Sequence, residues 1–212
     1  MLLSSDQVNK HSDLFQDVRL TSFGFCSIVL SVIFEYLAGR SIPFANFLAL
    51  LAGLLSLGLL MLAVGRLFTR KGRVGRLLCI AVYAVAMYLF AISGIASLSF
   101  ARGFLAAVES RVNPDQLQQW ASAELAHYEG TNATVDIPPK EQPELVRGMW
   151  GRYPPDVCVS PDKEHRCVTL VWGSGFGHWG MYVGMPDFVL AEDKGSPLLQ
   201  WKPGIYIQSP KP

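Results

Sequence analysis

The first half of this chain has almost no proline and no tryptophan: of thirteen prolines only Pro43 precedes residue 104, and all five tryptophans follow it. Two runs, Ile42 to Val64 and Leu77 to Ala101, also lack any charged side chain. Cysteine is scarce, at four residues, and no Cys-x-x-Cys pair, no Gly-Lys-Ser/Thr phosphate loop and no five-residue nucleophile elbow occurs. These absences remove the standard zinc, nucleotide-loop and α/β-hydrolase readings. The overall net charge of +1 conceals a basic first half, whose charges topology explains, and a mildly acidic second half, which gives no reason to expect nucleic acid.

Each uncharged run is long enough, as helix, to cross roughly 30 Å of hydrocarbon at about 1.5 Å per residue. Between them lie Arg66, Arg70, Lys71, Arg73 and Arg76. Basic residues of short loops stay on the cytoplasmic side, so the last run is expected to leave the cytoplasm and everything after it to lie outside. A third run, Leu20 to Ala38, contains Glu35 only near its end, where a carboxylate reaches headgroups or water. It is read as a span, which makes the amino terminus cytoplasmic. The competing reading is a signal sequence, which would leave two spans. Small residues recur every four positions at Ala45, Ala49 and Gly53 and at Ser93, Ser97 and Ala101. Such stripes serve either packing among the chain's own helices or a dimer or partner interface.

Residues 1–103 hold nine basic and four acidic side chains, and residues 104–212 hold nine and thirteen. The fold class expected is therefore a membrane α-helical anchor with spans near 20–38, 42–64 and 77–101, plus a small extracytoplasmic α+β domain over 104–212 with a mainly antiparallel sheet. Asn113-Pro114-Asp115 is a helix start, and Leu117, Trp120, Ala121, Leu125 and Tyr128 fall on one face of the helix that follows. Residues 129–143 are polar and proline-bearing and read as a linker; within them Asn132-Ala133-Thr134 is an acceptor pattern for N-glycosylation. Strands are expected at 157–159, 167–172, 179–183 and 204–207.

Four constellations bear on chemistry. Symmetric closure of the first hairpin would set Cys158 opposite Cys167, a natural disulfide in an oxidising compartment. Cys158, His165, Cys167 and His178 carry the donors of a zinc site, but at no standard spacing, so no metal is expected. The stretch from Trp172 to Gly180 interleaves four glycines with aromatics and one histidine. It reads either as a ligand mouth, with Phe176 and Trp179 as stacking surfaces and His178 as donor or base, or as a glycine-rich connection whose aromatics fill a small core. Last, His178 beside Asp187, Glu192 or Asp193, with Ser174 as nucleophile, is the minimum for acyl transfer.

The function expected is a membrane-anchored extracytoplasmic binding or assembly module, with Phe176, His178 and Trp179 at its ligand surface. The alternatives are a membrane-tethered hydrolase centred on His178 and a structural subunit of a membrane complex. No cofactor is implied. The expected partners are the lipid bilayer and a membrane protein or a second copy of the chain.

Overall fold

The structure, a computed structural model, describes residues 5–42, 44–67, 73–92, 94–131, 133–151, 154–161, 166–173, 179–190 and 198–208. The chain forms two compact units. The first contains α1 (Ser5–Gly39) up to Glu35, α2 (Ala45–Leu67) and α3 (Arg73–Ile92). The second contains Tyr36–Pro43 and everything from Ser97 onward.

Val18–Gly39 and Ala45–Gly65 are long and apolar enough to cross a membrane. The third run is not one continuous helix. α3 ends at Ile92, Gly94 takes a positive φ of 64°, and α4 (Ile95–Glu109) begins beyond it. Counted as one broken span, the α3–α4 pair makes a third crossing. Glycine tolerates that left-handed conformation without a Cβ penalty, so Gly94 is where an uncharged run can change direction. α4 belongs to the second unit from Ser97 on, and Phe100, Ala101, Gly103, Phe104, Ala107 and Val108 are buried there. Part of the last apolar run thus serves the second unit as a core helix.

Inside the first unit, small side chains let the helices approach. Ala45, Ala49, Ala52 and Ser56 of α2 are buried at spacings of four, three and four, a helical seam. Gly53, expected on that seam, instead has open space around it. Ser31 donates to the Ala49 carbonyl at 3.4 Å. The Tyr83 hydroxyl donates to the Ser56 carbonyl and lies 2.6 Å from Ser56 Oγ. A Cβ on Gly24 would fall 2.7 Å from Tyr83 Cε2, so α1 and α3 meet where α1 has no side chain. The outward residues, such as Phe47, Leu54 and Leu62, are more than half exposed, as lipid-facing side chains are.

The second unit is a six-stranded antiparallel sheet in the order β1-β2-β3-β4-β6-β5: β1 Val135–Ile137, β2 Asp156–Ser160, β3 Cys167–Trp172, β4 Trp179–Gly184, β5 Leu198–Lys202 and β6 Ile205–Gln208. The period of two places Val157, Val159, Val168, Leu170, Trp172, Met181, Val183, Ile205 and Ile207 on one face, all buried. The helix α5 (Pro114–His127) packs against β2, β3 and β4. Its start is as expected: Asn113 Oδ1 accepts from the Asp115 N–H at 2.8 Å, with Pro114 in the first turn. Leu117, Ala121 and Leu125 are buried, and each leucine contributes about 1.5 to 3 kcal/mol on burial. Gln118 Nε2 donates to the carbonyls of Gly184 and Pro203, tying the middle of α5 to two strand ends.

Two expectations change. The 129–143 segment, read as a linker, contains the edge strand β1, which at three residues is too short to display a period. β5 was not foreseen either, since Leu198-Leu199-Gln200-Trp201-Lys202 does not alternate. Both edges resist further pairing: β1 is short and is followed by Pro138 and Pro139, and β5 carries a bulge between Gln200 and Lys202.

Candidate functional site

Trp172 and Trp179 form the last pair of the β3–β4 ladder, on the covered face, where the glycine-rich connection begins at Gly173 with φ of 97°. Phe100 and Phe104, one turn apart on α4, meet them. The Phe100 ring stacks on Trp179 with centroids 4.0 Å apart at 20°, and Phe104 meets Trp172 edge-on at 5.2 Å and 64°. Trp150 completes the group, 6.0 Å from Phe100, 5.3 Å from Phe104 and 6.4 Å from Trp172. Five large rings thus form one cluster at the root of the connection. Its offset-stacked and edge-to-face pairs contribute roughly 0.5 to 1.5 kcal/mol each beyond burial.

Two indole N–H groups in this cluster have different fates. Trp150 Nε1 donates to the Gly39 carbonyl, at the end of α1, at 2.6 Å. Trp172 is 3% exposed and its Nε1 has no hydrogen-bond partner among the described residues. A buried donor left unpaired costs about 1 to 3 kcal/mol, so the group is an exception to the rule that buried polar atoms are satisfied. Sequence placed Trp172 at the end of an expected strand, but nothing in it indicates which indole is hydrogen-bonded.

Of the residues singled out from sequence, Trp179 is buried in the ring cluster, with one face against Phe100. Ser174, Phe176 and His178 lie outside the described residues, as do His165, Glu192 and Asp193. Asp187 is exposed. Among the described residues no group of His, Cys, Asp and Glu is arranged to hold a metal ion. Asn132 is outside the described residues, and its neighbours Ala133 and Thr134 are exposed.

Symmetric closure of the β2–β3 hairpin does not occur. The register sets Cys158 across from Thr169 and Ser160 across from Cys167. Relative to a Cys158–Cys167 pairing of the same strands, this ladder has five pairs instead of three and shortens the connection by two residues, while keeping the valines on the covered face. Cys158 and Cys167 become diagonal neighbours on the other face of the sheet, a relation that puts Cα atoms roughly 7 to 8 Å apart. Both thiols are free in the structure. Cys158 Sγ donates to Asp136 Oδ1 at 2.8 Å. Burial pushes its pKa up to about 11 from 9.0, assisted by the hydrogen bond to Asp136 and the negative charges of Asp136 and Asp156. Burial also raises Cys167, against a lowering hydrogen bond from Thr169. Near neutral pH both are thiols rather than thiolates, and a thiol is a poor nucleophile and a poor metal ligand.

Through the ladder Asp136, Cys158, Thr169, Tyr182, Tyr206 and Gln200 fall in one row across all six strands. Tyr206 donates to the Phe188 carbonyl at 3.1 Å, which holds the segment after β4 on this face. The row could be read from sequence only after the register was known. The chain matches no family model, and neither curated proteins nor solved structures match it.

Proposed function

We propose that the chain is a membrane-anchored binding or assembly module, with a cytoplasmic amino terminus and its second unit working outside the cytoplasm. The orientation is supported by Arg66, Arg70, Lys71, Arg73 and Arg76, concentrated where α2 gives way to α3, against the single Arg40 between α1 and α2. The observation that carries the binding role is the aromatic cluster at the root of the Trp172-to-Trp179 connection. A rigid hairpin end carrying a glycine-rich connection is how folds present ligand-contacting side chains. Phe176 and His178 are the contact residues on that connection, and Trp179, stacked on Phe100, is the first residue after it. The partner is a membrane protein or a second copy of this chain, met at the bilayer surface.

Two measurements test this. A cysteine placed at exposed Lys140 should react with a membrane-impermeant maleimide in intact cells, above the background of the native thiols. A photo-crosslinking residue at position 176 should give one discrete adduct that His178→Ala weakens. Labelling only after the membrane is broken refutes the orientation. Outward labelling without any adduct refutes the binding role.

A further inference from the structure

We propose that Arg40 and Arg102 form a headgroup site for an anionic phospholipid where the end of α1 crosses α4. Arg40 is the only charged residue between Glu35 and Arg66, and Arg102 is the only one between Arg76 and Glu109. Backbone contact between two glycines brings these isolated charges together. A Cβ on Gly39 would lie 2.7 Å from the Phe104 nitrogen, and one on Gly103 would lie 3.2 Å from the Arg40 nitrogen. With ordinary bond lengths, that approach puts the two arginine Cα atoms within about 10 Å of each other. Both arginines are exposed, and neither is ion-paired with a described residue. The crossing also lies where apolar segments end: Gly39 closes the span Val18–Gly39, and Ile95–Glu109 is the second half of the broken span. Tyr36–Pro43 and all residues from Ser97 on belong to the second unit, so the edge of the hydrocarbon is met within that unit itself. Trp150, whose indole donates to the Gly39 carbonyl, stands at the same level, as tryptophans at that boundary do. An arginine at the end of a span extends its guanidinium toward the headgroups. Two like charges held this close repel unless an anion lies between them, and the guanidinium fork matches the oxygens of a phosphate. Two cations around one phosphodiester disfavour the ammonium group of a zwitterionic lipid, so the ligand carries net negative charge, as phosphatidylglycerol does. The competing fate is that the two side chains extend separately into water, which needs no lipid.

The test uses the full chain, extracted in detergent and stripped of lipid, with Arg66, Arg70, Lys71, Arg73 and Arg76 replaced by glutamine, because that basic loop attracts anionic lipid on its own. Native mass spectrometry reads the first dioleoyl phosphatidylglycerol and the first dioleoyl phosphatidylcholine bound. Phosphatidylglycerol is expected to bind roughly thirtyfold more tightly, the worth of two arginines near a headgroup at about fivefold each. Arg40→Gln or Arg102→Gln alone should cut that preference to about fivefold, and the two together should abolish it. Equal binding of the two lipids before either arginine is changed overturns the proposal, and so does a preference that survives the double substitution. Excess inorganic phosphate should leave the first phosphatidylglycerol in place; its displacement makes free phosphate the ligand and overturns the lipid assignment. Should the loop-neutralised chain not fold, the double substitution in the otherwise unchanged chain decides. There the first phosphatidylglycerol should weaken roughly thirtyfold while phosphatidylcholine is unaffected, and no weakening overturns the proposal. The position-176 adduct is independent of every one of these outcomes.

Discussion

Replacing Gly103 by alanine should damage the second unit although helix propensity alone favours the change. Gly103 of α4 and Gly39 at the end of α1 face each other within that unit. A Cβ on Gly103 would overlap the Tyr36 carbonyl oxygen, lie 3.0 Å from the carbonyl carbon and 3.2 Å from the Arg40 nitrogen. One on Gly39 would overlap the Phe100 carbonyl oxygen and lie 2.7 Å from the Phe104 nitrogen. These are backbone atoms, which cannot rotate aside, so the two helix segments must separate. Overpacking of this kind costs about 1 to 3 kcal/mol. Separation also stretches the 2.6 Å hydrogen bond from Trp150 Nε1 to the Gly39 carbonyl, a loss of about 0.5 to 1.5 kcal/mol. Against this stands a propensity gain of about 1 kcal/mol for Gly→Ala in a helix interior. The net expectation is a destabilisation of about 0.5 to 3.5 kcal/mol, the difference of those ranges. Gly58→Ala in α2 is the control, because nothing lies within 4 Å of its added Cβ; it should be neutral or slightly stabilising. Thermal unfolding of the detergent-solubilised chain, followed by tryptophan fluorescence, compares the two. The cluster around Trp150, Trp172 and Trp179 should report the loss directly. A Gly103→Ala chain as stable as the parent, or a Gly58→Ala chain that loses as much, would show that the close crossing does not hold the unit together.

Other outcomes follow from single groups. Cys158 has a folded pKa of about 11 against 9.0 unfolded, so its contribution to stability is full below pH 9 and is lost as pH rises toward 11. Cys158→Ser should flatten that part of the alkaline unfolding curve, and Asp136→Asn, by removing the negative charge and leaving only an amide oxygen as acceptor, should speed alkylation of Cys158 at pH 8; an unchanged rate would remove Asp136 from the cause and leave burial alone. Tyr83→Phe removes the hydroxyl that donates to the Ser56 carbonyl and should cost about 0.6 kcal/mol, and at most about 1.7, as interhelical hydrogen bonds in bilayers do. Asn113→Ala deletes the cap of α5 and should cost about 1 kcal/mol; a loss confined to α5 would appear as faster amide exchange over 115–118.

Much of the architecture was legible because the physics behind it is local. A run of more than twenty residues without charge is read against the fixed thickness of a bilayer, and the cap at Asn113 needs only its own neighbours. The apolar face of α5 and the alternation of β3 likewise follow from periods of 3.6 and two. The strands β1 and β5 escaped because three residues and a bulged edge carry no usable period.

What the amino-acid sequence by itself determined was the class of the longer segments: helices able to cross a membrane, a basic loop between two of them, and a strand-rich carboxyl-terminal half. Tertiary structure decided the rest. It assigned Ser97–Glu109 of an apparently continuous apolar run to the core of the sheet unit, since Phe100 and Phe104 find aromatic partners there. It moved Cys158 across from Thr169 instead of Cys167, since register depends on the summed ladder and not on local symmetry. It also separated two like tryptophans, satisfying the Trp150 indole through a carbonyl 111 residues away in the chain and leaving that of Trp172 without a hydrogen-bond partner among the described residues. Such distinctions rest on groups far apart in sequence, and only folding brings them within reach of one another.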